Sequence, residues 1–243
     1  MGSVKVLAIN ASPRKYGNSY KLLMLAVEGA SSEGGDVEVL HLYDYEIRPC
    51  IGCLSDIQKA CRPPCVIDDG GREVLEKVAA SDVLIISTPI YWYGPPGHLK
   101  NLIDRMTVFE NMIYVTGQSL VEGKVAGFIA SGADSGNIMA LAHLMIVMNS
   151  MGFIIPPWAI AYYLGMGDAL SNEESVTDAL NVGRLAVITA KISRGVSRWY
   201  DPDALKKLGG DSLLNRVREM SRRNREEQGG RREEVTKLLK HRS

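Results

Sequence analysis

Long hydrophobic runs are missing from this 243-residue sequence. No stretch approaches the roughly 18 uninterrupted apolar residues of a membrane-spanning helix. The opening residues, MGSVKVLAIN, lack the basic region, apolar run and cleavage site of a secretory signal, so the expectation is a cytoplasmic protein that does not enter a membrane. Gly2 fits the start of a myristoylation pattern, but Val6 stands where that pattern takes Ser or Thr. An excess of charge of either sign is also missing: 28 Lys plus Arg offset 28 Asp plus Glu, which argues against a general nucleic-acid binder. Cysteine is scarce, with all 4 confined to positions 50–65 and none elsewhere to pair with them.

Several catalytic signatures are missing as well. There is no G-x-G-x-x-G turn for a dinucleotide and no Lys-Ser/Thr phosphate loop for a nucleoside triphosphate. No cysteine lies in the first turn, which removes a cysteine phosphatase. No Ser-His-Asp set, paired carboxylates or metal-hydrolase cluster stands out, and His98 and His143 are isolated and read as packed or helix-surface residues.

What is present is an alternation. Short β-branched runs at 4–10, 36–42, 82–88, 124–131 and 152–156 read as strands, and helical patterns begin near 18, 71, 98, 135 and 172. Strand–helix alternation predicts an α/β fold with a doubly wound parallel sheet covered on both faces. Its ligands bind beyond the carboxyl ends of the strands. A domain over 1–197 is expected, followed by a charged helical extension over 198–243 in which Leu213, Leu214, Val217 and Met220 make a weak stripe. That extension either packs on its own subunit or a neighbour, or contacts a membrane surface or nucleic acid.

Two loops follow strands and carry chemistry. The first, INASPRKYGNS over 9–19, offers the hydroxyls of Ser12 and Ser19, the amide of Asn18, the flexible Gly17 and the guanidinium of Arg14 at the start of a helix. This suits one terminal phosphate held by hydroxyls, backbone N–H groups and a helix N-terminus; the plainer reading is that Ser12 and Asn18 cap the turn and the helix. The second, STPIYWYGPPGHLKNLIDR over 87–105, crowds Tyr91, Trp92 and Tyr93 beside Gly94 and two prolines. Exposed aromatics there ask for a flat partner, such as an isoalloxazine ring; otherwise they pack into a core or an interface. The cysteines, in CIGCLSDIQKACRPPC, are Cys50, Cys53, Cys61 and Cys65, a clustering that favours a metal or cluster over a disulfide framework.

The segments NASPRKYGNS and TPIYWYGPPGHLKNLIDR, in this order, resemble the flavodoxin-like NAD(P)H-dependent FMN reductases and their iron–sulfur flavoprotein relatives, over about residues 1–195. The resemblance implies a five-stranded sheet of order 2-1-3-4-5. It implies FMN, with its phosphate at Ser12, Arg14, Gly17, Asn18 and Ser19, and its ribityl chain and ring flanked by Pro89, Ile90, Tyr91, Trp92, Tyr93 and Gly94. Ser131, Gly132 and Gly136 would close the third side. Lys100, Asp104 and Arg105 are taken as helix and subunit-contact positions outside the site. The implied partners are NAD(P)H and a flavin, quinone or protein acceptor, in a homodimer or homotetramer.

In the iron–sulfur relatives a compact Cys-x2-Cys-x2-Cys run followed by a further cysteine and CVI.DD carries a [4Fe–4S] cluster, and CVIDD at 65–69 matches its end. Asp56 stands where the third cysteine of that run belongs, and Cys61 follows five residues later. A [4Fe–4S] cluster, a zinc ion, disulfides and free thiols all remain readings of this loop. With a cluster, a one-electron carrier serving a ferredoxin-like partner is the alternative to a reductase. Asp68 and Asp69 are read as caps of the helix that starts near Gly71.

Overall fold

The apolar runs become five strands: β1 Val4–Asn10, β2 Gly35–His41, β3 Val83–Pro89, β4 Val125–Gly132 and β5 Ile160–Leu164. They form one parallel sheet of order β2-β1-β3-β4-β5, as the resemblance implied. The computed structural model describes residues 2–196, 199, 201, 203–227 and 231–240. Contacts divide the chain into units over 1–200 and 201–243. The expected boundary at 197/198 lies outside the described residues.

Side chains alternate across the sheet, as strand geometry requires, and feed two cores. Leu7, Ile9, Leu84, Ile86 and Phe128 join one with α2 (Gly70–Ala80), α3 (Gly97–Arg105), α4 (Thr107–Glu110) and α6 (Asn137–Met151). Between α4 and α6 lies the single turn α5, Met112–Thr116. Val6, Ala8, Ile85 and Ile129 join the other with α1 (Asn18–Ser32) and α7 (Glu173–Ser193). Connections run in opposite senses from β1 to β2 and from β1's other side to β3, so the switch point lies where Asn10 and Pro89 end their strands.

Two expectations are corrected. The run at 152–156 is not the fifth strand. It pairs only once, at Val125 with Ile154, and then Pro156 and Pro157 remove the N–H groups that would continue the ladder. The chain enters the sheet later, with Ile160 opposite Phe128. The helix expected from 98 through 109 breaks at Met106, where the Thr107 hydroxyl donates to the Asp104 carbonyl and a new turn, α4, begins.

The second unit contains α8 (Ala204–Lys207), α9 (Gly210–Glu227) and α10 (Arg231–Lys240). The expected stripe lies on α9, with Leu213 and Leu214 half-buried and Val217 and Met220 exposed. Glu219 bonds to Arg222 and Arg223 along the same helix. No helix among the described residues is long and apolar enough to cross a membrane.

Candidate functional site

Three loops meet at the carboxyl ends of β1, β3 and β4. The first runs from β1 into α1. Ser12 is buried, its N–H donates to Asn10 Oδ1 at 3.2 Å, and its hydroxyl accepts from the Arg14 N–H at 3.1 Å, a tight turn that leaves Arg14 exposed. The N-cap of α1 is Gly17, whose extended backbone carries no capping side chain, and no acidic residue sits in the first turn. The first-turn N–H groups therefore face outward with a partial positive charge. This argues against the plain capping reading of Asn18. Asn18 is engaged instead across the molecule: its Nδ2 donates to Gly167 O at 2.9 Å and its Oδ1 accepts from Ala169 N at 3.1 Å, tying α1 to the segment after β5.

Ser19 joins this loop to β4. Its hydroxyl lies 2.7 Å from that of Ser131, while Ser87 of β3 donates to the Ser19 carbonyl at 2.7 Å. The second loop leaves β3 at Pro89. Ile90 N donates to Ser131 O, and Tyr91 and Gly94 exchange both backbone bonds around Trp92 and Tyr93. Both central residues have left-handed backbones, φ 52° and 65°, the geometry of a type I′ turn that usually takes Asn-Gly. Bulky aromatics held there are strained, and such strain collects at ligand-binding sites. Tyr91 and Tyr93 are about half exposed and Trp92 is 96% exposed, so none of the three packs into the core.

The β4 loop closes against this turn. A Cβ at Gly136, whose φ is +92°, would meet Ile90 and the Tyr93 backbone at 3.0 Å, and one at Gly132 would meet Asn137 Oδ1 at 2.7 Å. Glycine is what lets the second and third loops approach. Thus Ser12, Arg14, Gly17, Ser19, Ile90, Tyr91, Tyr93, Ser131, Gly132 and Gly136 share one rim. Tyr43, after β2, was missed by sequence reasoning. It packs on His98 with ring centroids 4.7 Å apart, and burial, then the neighbouring Tyr91, raise its phenol pKa. His98 itself bonds the Leu42 and Tyr45 carbonyls at 3.0 Å and is structural.

The cysteine loop follows β2. Cys50, Cys53, Cys61 and Cys65 all line one small cavity of about 10 Å³, together with Asp104, Arg105 and Val108, and no disulfide joins them. Burial, then the nearby Cys53, Cys50 and Cys65, push the Cys61 thiol up to about 12. Four thiolates gathered there need a positive counter-charge. Among the described residues, no three His, Cys, Asp or Glu side chains converge as the donors of a single metal ion would. The cavity lies at the C-terminal end of α3, whereas the aromatic loop precedes its N-terminus, a separation of about 12 Å along the helix axis.

The loop is pinned from outside. Asn111 Nδ2 donates to the carbonyls of Gln58 at 2.9 Å and Cys61 at 2.8 Å, and Arg72 Nε donates to Cys65 O at 2.7 Å. Arg105, set aside in the sequence as a helix or contact position, is buried beneath the loop and forms a two-bond pair with Asp69, both at 3.0 Å. Asp69 also caps α2 through Gly71 N, while Asp68 stays on the surface paired with Arg72. Only a sequence signal for a buried Arg partner could have found this, and none exists in one chain.

The sequence profile of the NADPH-dependent FMN reductase family matches residues 4–163. An iron–sulfur flavoprotein of Archaeoglobus fulgidus is 36% identical over 157 residues, covering 65% of this chain and 73% of that protein. An iron–sulfur flavoprotein of Methanocaldococcus jannaschii is 29% identical over 199 residues, covering 78% and 98%. Among solved structures, RosB with bound 8-demethyl-8-formylriboflavin-5'-phosphate superposes with a TM-score of 0.71 at 20% identity, covering 86% and 88% of the two chains. An archaeal flavodoxin superposes with a TM-score of 0.53 at 14% identity, covering 77% and 99%. These two likenesses concern the fold.

Proposed function

We propose, from the premise that the chain belongs to the NADPH-dependent FMN reductase family, that FMN binds at the three-loop rim and that this flavoprotein oxidoreductase passes electrons from NAD(P)H to a flavin, quinone or similar acceptor. When bound, FMN supplies the hydride and electron chemistry. The protein's part is to hold and orient it. The uncapped start of α1, Ser12 and Arg14 hold the phosphate, Ser19 fixes the first loop to β4 through Ser131, and the 90–94 turn presents aromatic surface and backbone N–H groups to the ring. The observation that carries this reading is the 2.7 Å Ser19–Ser131 contact, which holds the first loop against the end of β4, where Ser131 O also accepts the Ile90 N–H of the second loop. Asn18 is a brace for the first loop.

Arg14→Ala is expected to weaken FMN binding by about 1–3 kcal/mol, the range for hydrogen bonds to a charged group. Each 1.4 kcal/mol is about tenfold in Kd. Fluorescence titration of FMN checks it, and an unchanged Kd places the phosphate elsewhere. Anaerobic NADPH and NADH oxidation by the FMN-loaded protein, with flavin and quinone acceptors, tests the activity. No turnover with either donor would overturn the reductase reading.

The cysteine cavity favours a second reading, in which a [4Fe–4S] cluster shares the electrons and a protein partner takes them. A cluster takes one thiolate for each iron, and the four thiols that line this one cavity are such a donor set. Two N–H groups already point at sulfur: Arg105 Nε at 3.1 Å from Cys65 Sγ and Gly52 N at 3.5 Å from Cys50 Sγ. Anaerobic reconstitution is expected to give about four irons per chain, with loss of the cluster in each single Cys→Ser variant. Less than about one iron per chain leaves the plain reductase.

A further inference from the structure

We propose that Arg105 is a positioning residue for Cys65: its Nε–H···Sγ bond at 3.1 Å, held by the buried Asp69 fork, aims that sulfur into the cysteine cavity and raises the reduction potential of the group bound there. The inference rests on the cluster reading. The Arg105 side chain is fully buried and the Asp69 side chain is 3% exposed. Asp69 takes the NH1 and NH2 ends of the guanidinium, and the Ile67 and Arg48 carbonyls accept further bonds from the same groups at 3.2 Å. With those ends satisfied, the remaining donor, Nε–H, is directed at Cys65 Sγ.

This arrangement fixes the sulfur from the protein side. Partners behind a ligand set both its orientation and its electron density, and hydrogen bonds to ligand sulfurs are among the terms that set cluster potentials. A donated N–H favours the form that carries one more electron, while Asp69 offsets the charge of the guanidinium behind it. Lysine cannot replace the device: its compact ammonium cannot span two carboxylate oxygens and reach a sulfur in a fixed plane. Cys50, by contrast, is exposed and accepts the N–H of Gly52 within its own loop.

The test compares three chains reconstituted anaerobically with iron and sulfide: the parent, Arg105→Lys, and the double variant Arg105→Gln with Asp69→Asn. The double variant leaves no buried charge unpaired should the lysine chain fail to fold. FMN binding at the distant rim reports folding in each. The expected result is iron retained in all three, with iron loss to a chelator about tenfold faster in both variants. At fixed ambient potential the reduced-to-oxidised ratio should fall about tenfold, which for one electron is 59 mV. A folded variant with the parent's potential and iron-release rate overturns the role of Arg105 alone. A parent that takes up no iron overturns the cluster reading and this inference with it, so the two failures are distinct.

Discussion

Asp69→Ala is expected to lower the stability of the folded chain by about 3–5 kcal/mol, because it leaves the Arg105 guanidinium buried without its partner. Further losses add to this: the α2 cap through Gly71 N and the Arg48 N–H bond at 2.9 Å. Burial by itself raises the Asp69 carboxyl pKa, but hydrogen bonds from Arg105, Arg48 and Gly71 outweigh it and hold the group below the usual carboxylate range. The sign of the pH effect follows. A carboxyl whose folded value lies below its unfolded value of about 3.9 contributes fully above that pH and loses its contribution as pH falls through the folded value. Urea melts at constant FMN should therefore show a large gap between parent and variant at pH 7 that narrows in strong acid. A gap under about 1 kcal/mol at pH 7, or one independent of pH, would show that the pair contributes little to the fold.

Gly183→Ala is expected to cost about 3 kcal/mol, the upper end of what overpacking usually costs. A Cβ at Gly183 would lie 1.8 Å from the Ala26 carbonyl oxygen and 2.8 Å from Ala30 N, and one at Gly29 would lie 2.1 Å from Leu180 O. These are backbone atoms, so no rotamer change relieves the clash and α1 must move away from α7. Because α1 also carries the first turn, FMN affinity should fall along with stability. Gly97→Ala supplies the comparison, since a Cβ there meets nothing within 4 Å. Thermal melts of both variants decide it: equal midpoints would mean that the α1–α7 contact adjusts without cost.

Much of the fold was legible because its cause is local. The β-branched runs from Val4 and Val83 and the helical spacing from Asn18 and Gly70 are written in neighbouring residues, and turn residues bound them. The two rim loops were legible for the same reason, each following a buried strand. The run at 152–156 misled because Phe153, Ile154 and Ile155 have the composition of a strand. Whether they join a sheet depends on whether the next residues can donate, and Pro156 and Pro157 cannot.

By itself, then, the sequence determined the strand–helix alternation, the small-residue turn after β1, the aromatic turn after β3 and the gathering of all 4 cysteines in one loop. Tertiary structure alone decided what those cysteines face. Arg105 and Asp69 are 36 positions apart, Arg105 and Cys65 40, and Asn111 and Cys61 50. No periodicity encodes such pairs. They arise because packing α2, α3 and α4 against the same sheet face buries the Arg105 guanidinium and the Asn111 amide, and a buried donor must find its acceptors wherever the fold brings them. The same necessity commits the Asn18 side chain to Gly167 and Ala169, some 150 positions away.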